Sequence, residues 1–362
     1  MTMVLNRKLS PAETEAFGAE LDALQKRHQA DLGEVDARYI RRIRSSVRIA
    51  ELAGRLMLFA GFFPPTFILG TLLLGLAKIL ENMELGHNVM HGQYDWMNDP
   101  EFNGKTYEWD HACPSDAWRH THNFQHHTFT NVLGRDHDIG YGTVRVFAEQ
   151  RWRPFYLLQP LWATLQAVFF QGAIAIFDLK IDRYFRRKAP IEKLLVKLPP
   201  VGRKISRQLL KDYLVFPLLA GPNFLGVLVG NLLANLMRNL WTFVVIFCGH
   251  FTEHAEVFPP SVLDNESRGD WYVRQLRGSS NLTGSKLLHI LTGNLSHQIE
   301  HHMFPTIPAR RYGAMAVEVK EICQRYGQHY NSGSFARQFF TVVVRLFRHA
   351  FPSQPQRKAT LA

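Results

Sequence analysis

The chain has 362 residues, a formal net charge of +11 and three cysteines, Cys113, Cys248 and Cys323. Its mean hydropathy of −0.14 excludes a polytopic transporter built mostly of lipid-facing helices, and the scattered, odd-numbered cysteines exclude a disulfide framework. Long apolar stretches nevertheless indicate membrane spans, so we expect one membrane domain with a large polar part, in a reducing compartment.

The positive charge does not predict a nucleic-acid partner, because its distribution is typical of a membrane protein. Basic residues crowd between Lys180 and Lys211, directly before a long apolar stretch, where a cytoplasmic membrane loop carries its charge. As an alternative, part of this loop meets phosphates of lipid or coenzyme A. The candidates for that contact are Arg183, Arg186, Arg187 and Lys188.

Residues 1–47 are predicted to form a cytoplasmic helical segment. The stretch from Met1 to Asp36 has no apolar core, so a cleavable signal peptide is not expected. Ser10, Pro11 and Glu13 have the order of a capping box with proline in the first turn. This pattern predicts that a helix begins next to Ser10.

Residues 48–347 are predicted to form the membrane domain, beginning with an apolar stretch from Ile49 to Leu80 that contains Pro64 and Pro65. One membrane helix needs about 20 residues, so the stretch is too long for one span and short for two. We expect a tight hairpin of two short helices, broken at the prolines, that returns the chain to the cytoplasm. A single span would put the following histidines across the membrane from the basic loop.

Two further apolar stretches follow. Pro154 to Phe177 lacks Lys and Arg but contains glutamines, which favours an interfacial or re-entrant helix. Tyr213 to Phe251 is long enough for two spans, LVFPLLAGPNFLGVLVGNLL and ANLMRNLWTFVVIFCG. We therefore expect about four transmembrane helices, with both termini in the cytoplasm, and a disordered tail over residues 348–362.

Eight histidines stand in three short clusters, GHNVMHG, THNFQHHTFTN and SHQIEHHMFP. On a helix, residues four apart share a face, so each cluster can direct two imidazoles to one point. The next histidine is rotated by about 100° and can reach a second ion. A tetrahedral site takes four ligands, so eight imidazoles indicate two ions, although imidazole alone does not name the metal. The alternative, hydrogen-bonded histidines without metal, is weakened by the three-fold occurrence.

Together these clusters resemble the three histidine boxes of membrane fatty-acid desaturases, over about His87 to Tyr312. The QIEHH sequence is similar to that of a bacterial acyl desaturase group and of front-end desaturases. The resemblance implies an all-α integral membrane protein with a cytoplasmic helical cap that holds a non-haem di-iron site. If the source is bacterial, the location is the inner membrane.

The resemblance also implies which side chains bind the two iron ions. The implied ligands are His87, His91, His122, His126, His127, His250, His297, His301 and His302. Two positions stay open, because Gln298 is an alternative to His297 and His254 is a second choice to His250. Further groups that could bind metal or orient its ligands are Asp136, Asp138, His120 and Glu300.

The implied reaction is the O2-dependent introduction of a double bond into a long-chain acyl-CoA or acyl-lipid. Removing hydrogen from an unactivated methylene needs the oxidising power of a metal–oxygen species, while an apolar tunnel positions one C–C bond. No haem-binding or flavin motif is visible, so we expect electrons from an external donor: a ferredoxin, rubredoxin or cytochrome with its reductase.

Three other interpretations compete with desaturation. A related di-iron hydroxylase or ketolase would use the same ligands. A zinc membrane protease should carry His-Glu-x-x-His, which does not occur in this chain. A non-enzymatic membrane protein that stores or senses metal would need neither an acyl tunnel nor spaced histidine boxes.

Overall fold

The computed structural model describes residues 6–185 and 189–353, and these are mostly helical. In chain order the helices are α1 (Pro11–Ala30), α2 (Glu34–Phe59), α3 (Pro64–Leu80), α4 (Ser115–Trp118), α5 (Gln159–Val168), α6 (Phe170–Phe177), α7 (Ile181–Phe185), α8 (Ile191–Leu210), α9 (Phe224–His250), α10 (Arg268–Gly278), α11 (Lys286–Leu291), α12 (Gln298–Met303), α13 (Tyr312–Arg325) and α14 (Phe335–Ala350). Two short parallel strands, β1 (Asn281–Thr283) and β2 (Ser332–Ser334), pair with Leu282 opposite Gly333.

Three of these helices continue through a π-helical segment, in which hydrogen bonds join residues five apart. Helix α3 continues through Glu81–His87 to Asn88–Met90, α4 through Arg119–His126 to His127–Phe129, and α8 through Lys211–Val215 to Phe216–Leu219. Short 3-10 turns lie at Asp95–Met97, Pro100–Phe102, Ile139–Gly142, Pro154–Leu158, Gly221–Asn223, Pro260–Leu263, Leu295–His297 and Ala309–Arg311.

The predicted helix start at Ser10 is confirmed. The Ser10 hydroxyl accepts a hydrogen bond from the Glu13 N–H, and the Glu13 carboxylate accepts one from the Ser10 N–H. Helix α1 packs on α10 and α13, burying Phe17 and Leu21 against Tyr312 and its neighbours. Residues 1–47 are therefore not a separate unit, because α1 packs on α10 and α13 and α2 runs continuously through the predicted boundary.

The predicted helical hairpin around the proline pair is also confirmed as a pair of packed helices. Pro64 and Pro65 occupy the first turn of α3, where a missing N–H leaves no helical hydrogen bond unmade. The helices approach closely at Gly54 and Gly70: a Cβ added at Gly54 would lie 2.8 Å from the Leu74 nitrogen. Small residues thus permit backbone contact between α2 and α3.

The predicted division of Tyr213 to Phe251 into two spans is wrong in its boundary. Helix α9 is continuous over 27 residues, and the break comes earlier, at Gly221–Asn223. Gly221 has φ +55°, and Pro222 cannot continue a preceding helix, so the chain reverses there. The polar residues of α9 do not break it, because Asn231 and Asn235 bond to Asp212.

Among the described residues, two helical segments are long and apolar enough to cross a membrane, Pro64–Met90 and Gly221–His250. The pair α5 and α6 passes the same test together but is bent by 100°, as in a broken span or re-entrant loop. Length and hydropathy therefore support two of the four expected spans among the described residues, or three if the bent pair is one span.

The predicted disordered tail begins too early, because α14 continues through Ala350 and buries His349 and Ala350. Trp152 donates to the Ala350 carbonyl and Arg145 to the Phe351 carbonyl, which attaches the end of α14 to the segment before α5. The rest of the predicted tail, residues 354–362, lies outside the described residues, as do Arg186, Arg187 and Lys188 of the basic loop.

Candidate metal centre

The structure brings eight of the sequence-predicted histidines into two adjoining groups. In the first group, His87 and His91 come from the end of the α3 extension, His122 from the π-helical segment after α4, and His301 from α12. One ring nitrogen of each lies within 4.8 Å of the others, and His87 Nε2 is 3.3 Å from His122 Nε2. Four imidazoles from three separate chain segments therefore meet at one point.

The second group is formed by His126, His250 at the end of α9, and His302 of α12. His250 Nε2 lies 3.2 Å from His126 Nε2 and 3.0 Å from His302 Nε2. His127 lies between the groups, since it is within reach of both His301 and His302. The adjacent His pairs of the second and third boxes thus connect the two points.

Hydrogen bonds on the other ring nitrogens fix the direction of the second group. The Nδ1 atoms of these rings face acceptors: Asp136 at 3.1 Å from His126, the Gly278 carbonyl at 3.1 Å from His250, and Gln275 Oε1 at 3.1 Å from His302. A proton on each Nδ1 leaves a lone pair on each Nε2. Three lone pairs then point toward one place. Hydrogen bonds among these rings cannot satisfy them, because none of the Nε2 atoms carries a proton.

These positions fit metal ions. Nitrogens that bind one ion at about 2.1 Å lie about 3.0–3.4 Å apart when their angle is about 90–109°, which matches the Nε2 separations. Buried nitrogens of His91, His127 and His301 have no hydrogen-bond partner among the described residues. Burial and neighbouring imidazoles hold the pKa of His122, His127, His301 and His302 well below the ordinary value, so the rings stay neutral, as metal binding requires.

The π-helical segments change the expected face sharing. His87 and His91, four apart, share the first group as predicted, but the Nε2 atoms of His122 and His126 face different groups. The two rings still lie side by side, with their centroids 5.2 Å apart, but in this π-helical turn their Nε2 atoms face different partners. As a result, one continuous segment supplies histidines to both points.

Two carboxylates of the loop after the second box support these rings. Asp136 is buried, and although burial acts to raise its pKa, the attraction and hydrogen bond of His126 hold that pKa below its ordinary value. The same pairing raises the pKa of His126 against the effect of burial. Asp138 Oδ2 lies 3.7 Å from His122 Nδ1, and burial raises the pKa of this second carboxyl to about 7.

The geometry distinguishes the two open positions of the sequence. Gln298, not His297, faces the second group, with its amide nitrogen 2.9 Å from His250 Nε2 and its Oε1 without a hydrogen-bond partner among the described residues. His297 stacks on His289, 4.6 Å between ring centroids, outside both groups. His250 lies in the second group, whereas His254 contacts His329.

Comparison with known proteins supplies the chemistry. The family model described as "Fatty acid desaturase" matches residues 62–334. The chain belongs to the fatty acid desaturase family. It is 44% identical over 96% of its length, and 82% of the relative's, to a Mycobacterium tuberculosis protein named "NADPH-dependent stearoyl-CoA 9-desaturase". It is 28% identical to "sn-1 linoleoyl-lipid 6-desaturase" of Synechocystis sp., over 76% of this chain and 77% of that one.

Family membership makes the chain an oxidoreductase that desaturates fatty acyl groups, as the histidine boxes predicted. It excludes the protease and metal-storage interpretations, since the matched relatives are desaturases.

The remaining candidates of the desaturase lie outside both metal groups. His120 stacks on the exposed Phe124, 5.8 Å between ring centroids. The Glu300 carboxylate accepts hydrogen bonds from Asn281 and Tyr330, both at 2.8 Å. Burial raises the pKa of Glu300 to about 7. Its contacts are those of a residue that ties α12 to β1.

Several supporting residues were not found from the sequence. Asn88 Oδ1 is 3.0 Å from His87 Nδ1, and Thr130 and Gln275 both contact His302 Nδ1. For Asn88 its position next to a box histidine is a signal, whereas Gln275 stands 27 residues before His302 without any motif.

Proposed function

We propose that this desaturase introduces a double bond at carbon 9 of a long-chain saturated acyl-CoA. The observation that carries the proposal is the 44% identity, across nearly the whole chain, to a protein named as a stearoyl-CoA 9-desaturase. The lower 28% identity to a lipid-linked desaturase supports acyl-CoA over acyl-lipid as the carrier. Carbon position and carrier thus both follow the more similar relative.

The proposal assigns two irons to the two histidine groups. His87, His91, His122 and His301 would hold one, and His126, His250 and His302 the other, with His127 between them and Gln298 beside the second. Bound there, the pair of irons supplies the reduction of dioxygen and the oxidising power that C–H removal needs. Nitrogen-rich ligation with neutral imidazoles suits iron among other metals, and family membership selects it.

The overall reaction removes two hydrogen atoms from neighbouring carbons. Dioxygen, with these two hydrogens, two electrons and two protons, yields two waters. We propose that the electrons come from NADPH, which the relative's name includes, through a separate ferredoxin, rubredoxin or cytochrome and its reductase.

The chain's own residues hold and shield the reacting position. All cluster histidines are buried except His122, whose side chain is 16% exposed, so the acyl bond is expected to approach on that side. Exclusion of water strengthens the electrostatic contacts inside the site and prevents side reactions. Hydrogen bonds on the Nδ1 atoms keep the imidazoles in place while the substrate enters and leaves.

The proposed membrane arrangement has four crossing helices in two hairpins, α2 with α3 and the α8 extension with α9. The hairpin tips lie together, since Asn223 Nδ2 donates to the Leu58 carbonyl at 2.7 Å. Phe62, Phe63, Leu218 and Leu219 are exposed there, as expected for residues at the interface between lipid and water. The metal groups lie at the other ends of α3 and α9, which supports one cytoplasmic cap.

Cysteine labelling tests this orientation, because the three native cysteines are buried. An impermeant thiol reagent applied to intact cells should label Phe62→Cys at the tips and not Lys320→Cys in the cap. Labelling of Lys320→Cys before cell lysis would contradict the cytoplasmic cap.

The activity test pairs two histidine variants. We expect cells that express the chain to gain a Δ9-unsaturated fatty acid, detected by mass spectrometry, and His301→Ala to abolish it together with bound iron. His297→Ala, which removes a histidine of the same box outside both groups, should retain product and iron. A hydroxylated product would indicate the related hydroxylase instead. Equal loss in both variants would contradict the assignment of Gln298 over His297.

A further inference from the structure

A cavity of about 720 Å³ lies between α5, α6, α8 and α9, and it is separate from the metal centre. None of the residues that line it is a histidine. It comes nearest to the metal centre at Tyr141, which lines the cavity and interacts with Asp138. Its volume is in the range of sites that hold a small organic ligand.

One part of the cavity wall is apolar and faces outward. Phe155, Leu165, Phe169 and Ile176 line it, and each is 41–62% exposed at the surface of the bent α5–α6 pair. Trp162 and Leu209 continue the apolar wall. In a protein with membrane-crossing helices, exposed side chains of this kind face acyl chains, so an apolar ligand can enter from the bilayer.

Another part of the wall is polar and contains Arg238, which is only 2% exposed. Its guanidinium donates to the amide oxygens of Gln171 and Asn239, and among the described residues it has no carboxylate within ion-pair distance. The carboxylate of Asp212, on the same wall, is already held by Lys78 at 2.6 Å and Arg55 at 3.4 Å.

The Gln171 amide beside Arg238 is also incompletely bonded. Its Nε2 atom is buried and has no hydrogen-bond partner within the described part of the chain. A buried guanidinium with no carboxylate in direct contact and an unpaired buried amide N–H are both unfavourable. Both are relieved if a ligand brings an anionic oxygen pair to this wall, because a guanidinium can bind such a pair with two hydrogen bonds and the Gln171 N–H can donate to it.

We propose that this cavity is a binding site for a long-chain carboxylate, an unesterified fatty acid, distinct from the acyl-CoA site at the metal centre. The carboxylate pairs with Arg238, and the alkyl chain lies along Trp162 and the outward apolar wall. The site does not depend on bound metal, because no metal-group residue contributes to it.

Fluorescence quenching tests the site on the purified full-length protein without metal. The probe is 9,10-dibromostearate, whose bromines quench tryptophan, and the matched neutral probe is its methyl ester. We expect the acid to quench the Trp162 signal at about tenfold or more lower concentration than the ester, the size expected of a charged hydrogen-bond pair. Trp162→Phe should remove this component.

Arg238→Gln should abolish the difference between acid and ester. Arg55→Gln, which removes a guanidinium of the same helical bundle that does not line the cavity, should retain it. Should Arg238→Gln fail to fold, Gly172→Phe serves instead: an added Cβ at Gly172 meets no atom within 4 Å, so the ring can occupy the cavity and block the acid.

Equal quenching by acid and ester in the wild type would overturn the proposal, as would an unchanged acid preference in both Arg238→Gln and Gly172→Phe. His301→Ala separates this site from the desaturase activity. Loss of product in that variant with an intact acid preference is the expected result, and joint loss would merge the two sites.

Discussion

At the residue scale, Asp136 holds one imidazole of the second metal group in a single orientation. Its carboxylate accepts from His126 Nδ1 and also from the backbone N–H groups of Asn131 and Asp138, both at 2.8 Å. The loop therefore fixes the carboxylate, and the carboxylate fixes the ring. Such a partner raises the basicity of a metal-binding histidine and sets its tautomer.

We predict that Asp136→Asn lowers iron affinity at the second group by about 10–100-fold, the usual effect of removing such a partner. The amide can still accept a hydrogen bond but carries no charge. Iron bound per chain, measured against a chelator series, checks this prediction.

Asp138→Asn is the matched control, because it makes the same change two residues away. Asp138 lies 3.7 Å from His122 Nδ1, beyond hydrogen-bond distance, so a smaller loss of iron is expected. An equal loss in both variants would show that the charge of the loop matters rather than the contact to His126.

The residues of the site could be predicted where they stand close together in sequence and not where a turn changes the local geometry. The boxes gave His126 and His302 because adjacent pairs are visible in the chain. His297 was chosen by analogy with the spacing of the second box, which assumes a continuous helix. Instead Asn294 adopts φ +56° and a 3-10 turn precedes α12, so that helix begins at Gln298.

At the element scale, the close contact between α2 and α3 depends on two glycines. An added Cβ at Gly54 would lie 2.8 Å from the Leu74 nitrogen, and one at Gly70 would lie 2.9 Å from the Leu58 nitrogen. Both contacts are with backbone, which cannot move aside as a side chain can. The hairpin must open to accept either methyl group.

We predict that Gly54→Ala and Gly70→Ala each destabilise the protein by about 1–3 kcal/mol, the usual effect of overpacking. Thermal unfolding of the purified protein measures the effect. Gly202→Ala in α8 is the control, since its added Cβ meets no atom within 4 Å and alanine favours a helix. A stability gain at Gly54 would contradict the close contact.

The elements themselves were predictable where a single strong signal decides. The proline pair gave the first hairpin, and the Ser10 capping box gave the start of α1. Length alone divides the apolar stretch from Tyr213 to Phe251 in the wrong place, although Gly221-Pro222 is the stronger local signal. The polar residues of α9 leave that helix continuous. Their partners on other helices, Asp212 and Gln171, cannot be read from local sequence.

At the scale of the whole molecule, ion pairs join the N-terminal helices α1 and α2 to α13 and to the residues before it. Asp36, at the start of α2, is fully buried and contacts Arg310 and Arg311, which precede α13. Arg27 of α1 pairs with Glu318 of α13 at 2.7 Å. Because α12, which carries His301 and His302, lies just before these arginines, the segment also supports the metal centre.

Replacement of Asp36 should therefore weaken the whole assembly, and in a pH-dependent way. Burial acts to raise the pKa of Asp36, but hydrogen bonds from Arg311 and Arg310 outweigh it and hold the pKa below its ordinary value. The stabilisation is then present above about pH 4, the unfolded pKa, and is lost as the pH falls through the lower folded pKa.

We predict that Asp36→Asn lowers stability by about 2–3 kcal/mol at neutral pH, near the lower end for a broken buried pair because the arginines are partly exposed. Thermal unfolding of wild type and variant should converge below about pH 4. Asp31→Asn is the control: it removes a mostly exposed partner of Arg311 and should change stability by less than about 1 kcal/mol at any pH. A stability difference between wild type and Asp36→Asn that stays constant down to low pH would contradict the ionic contribution.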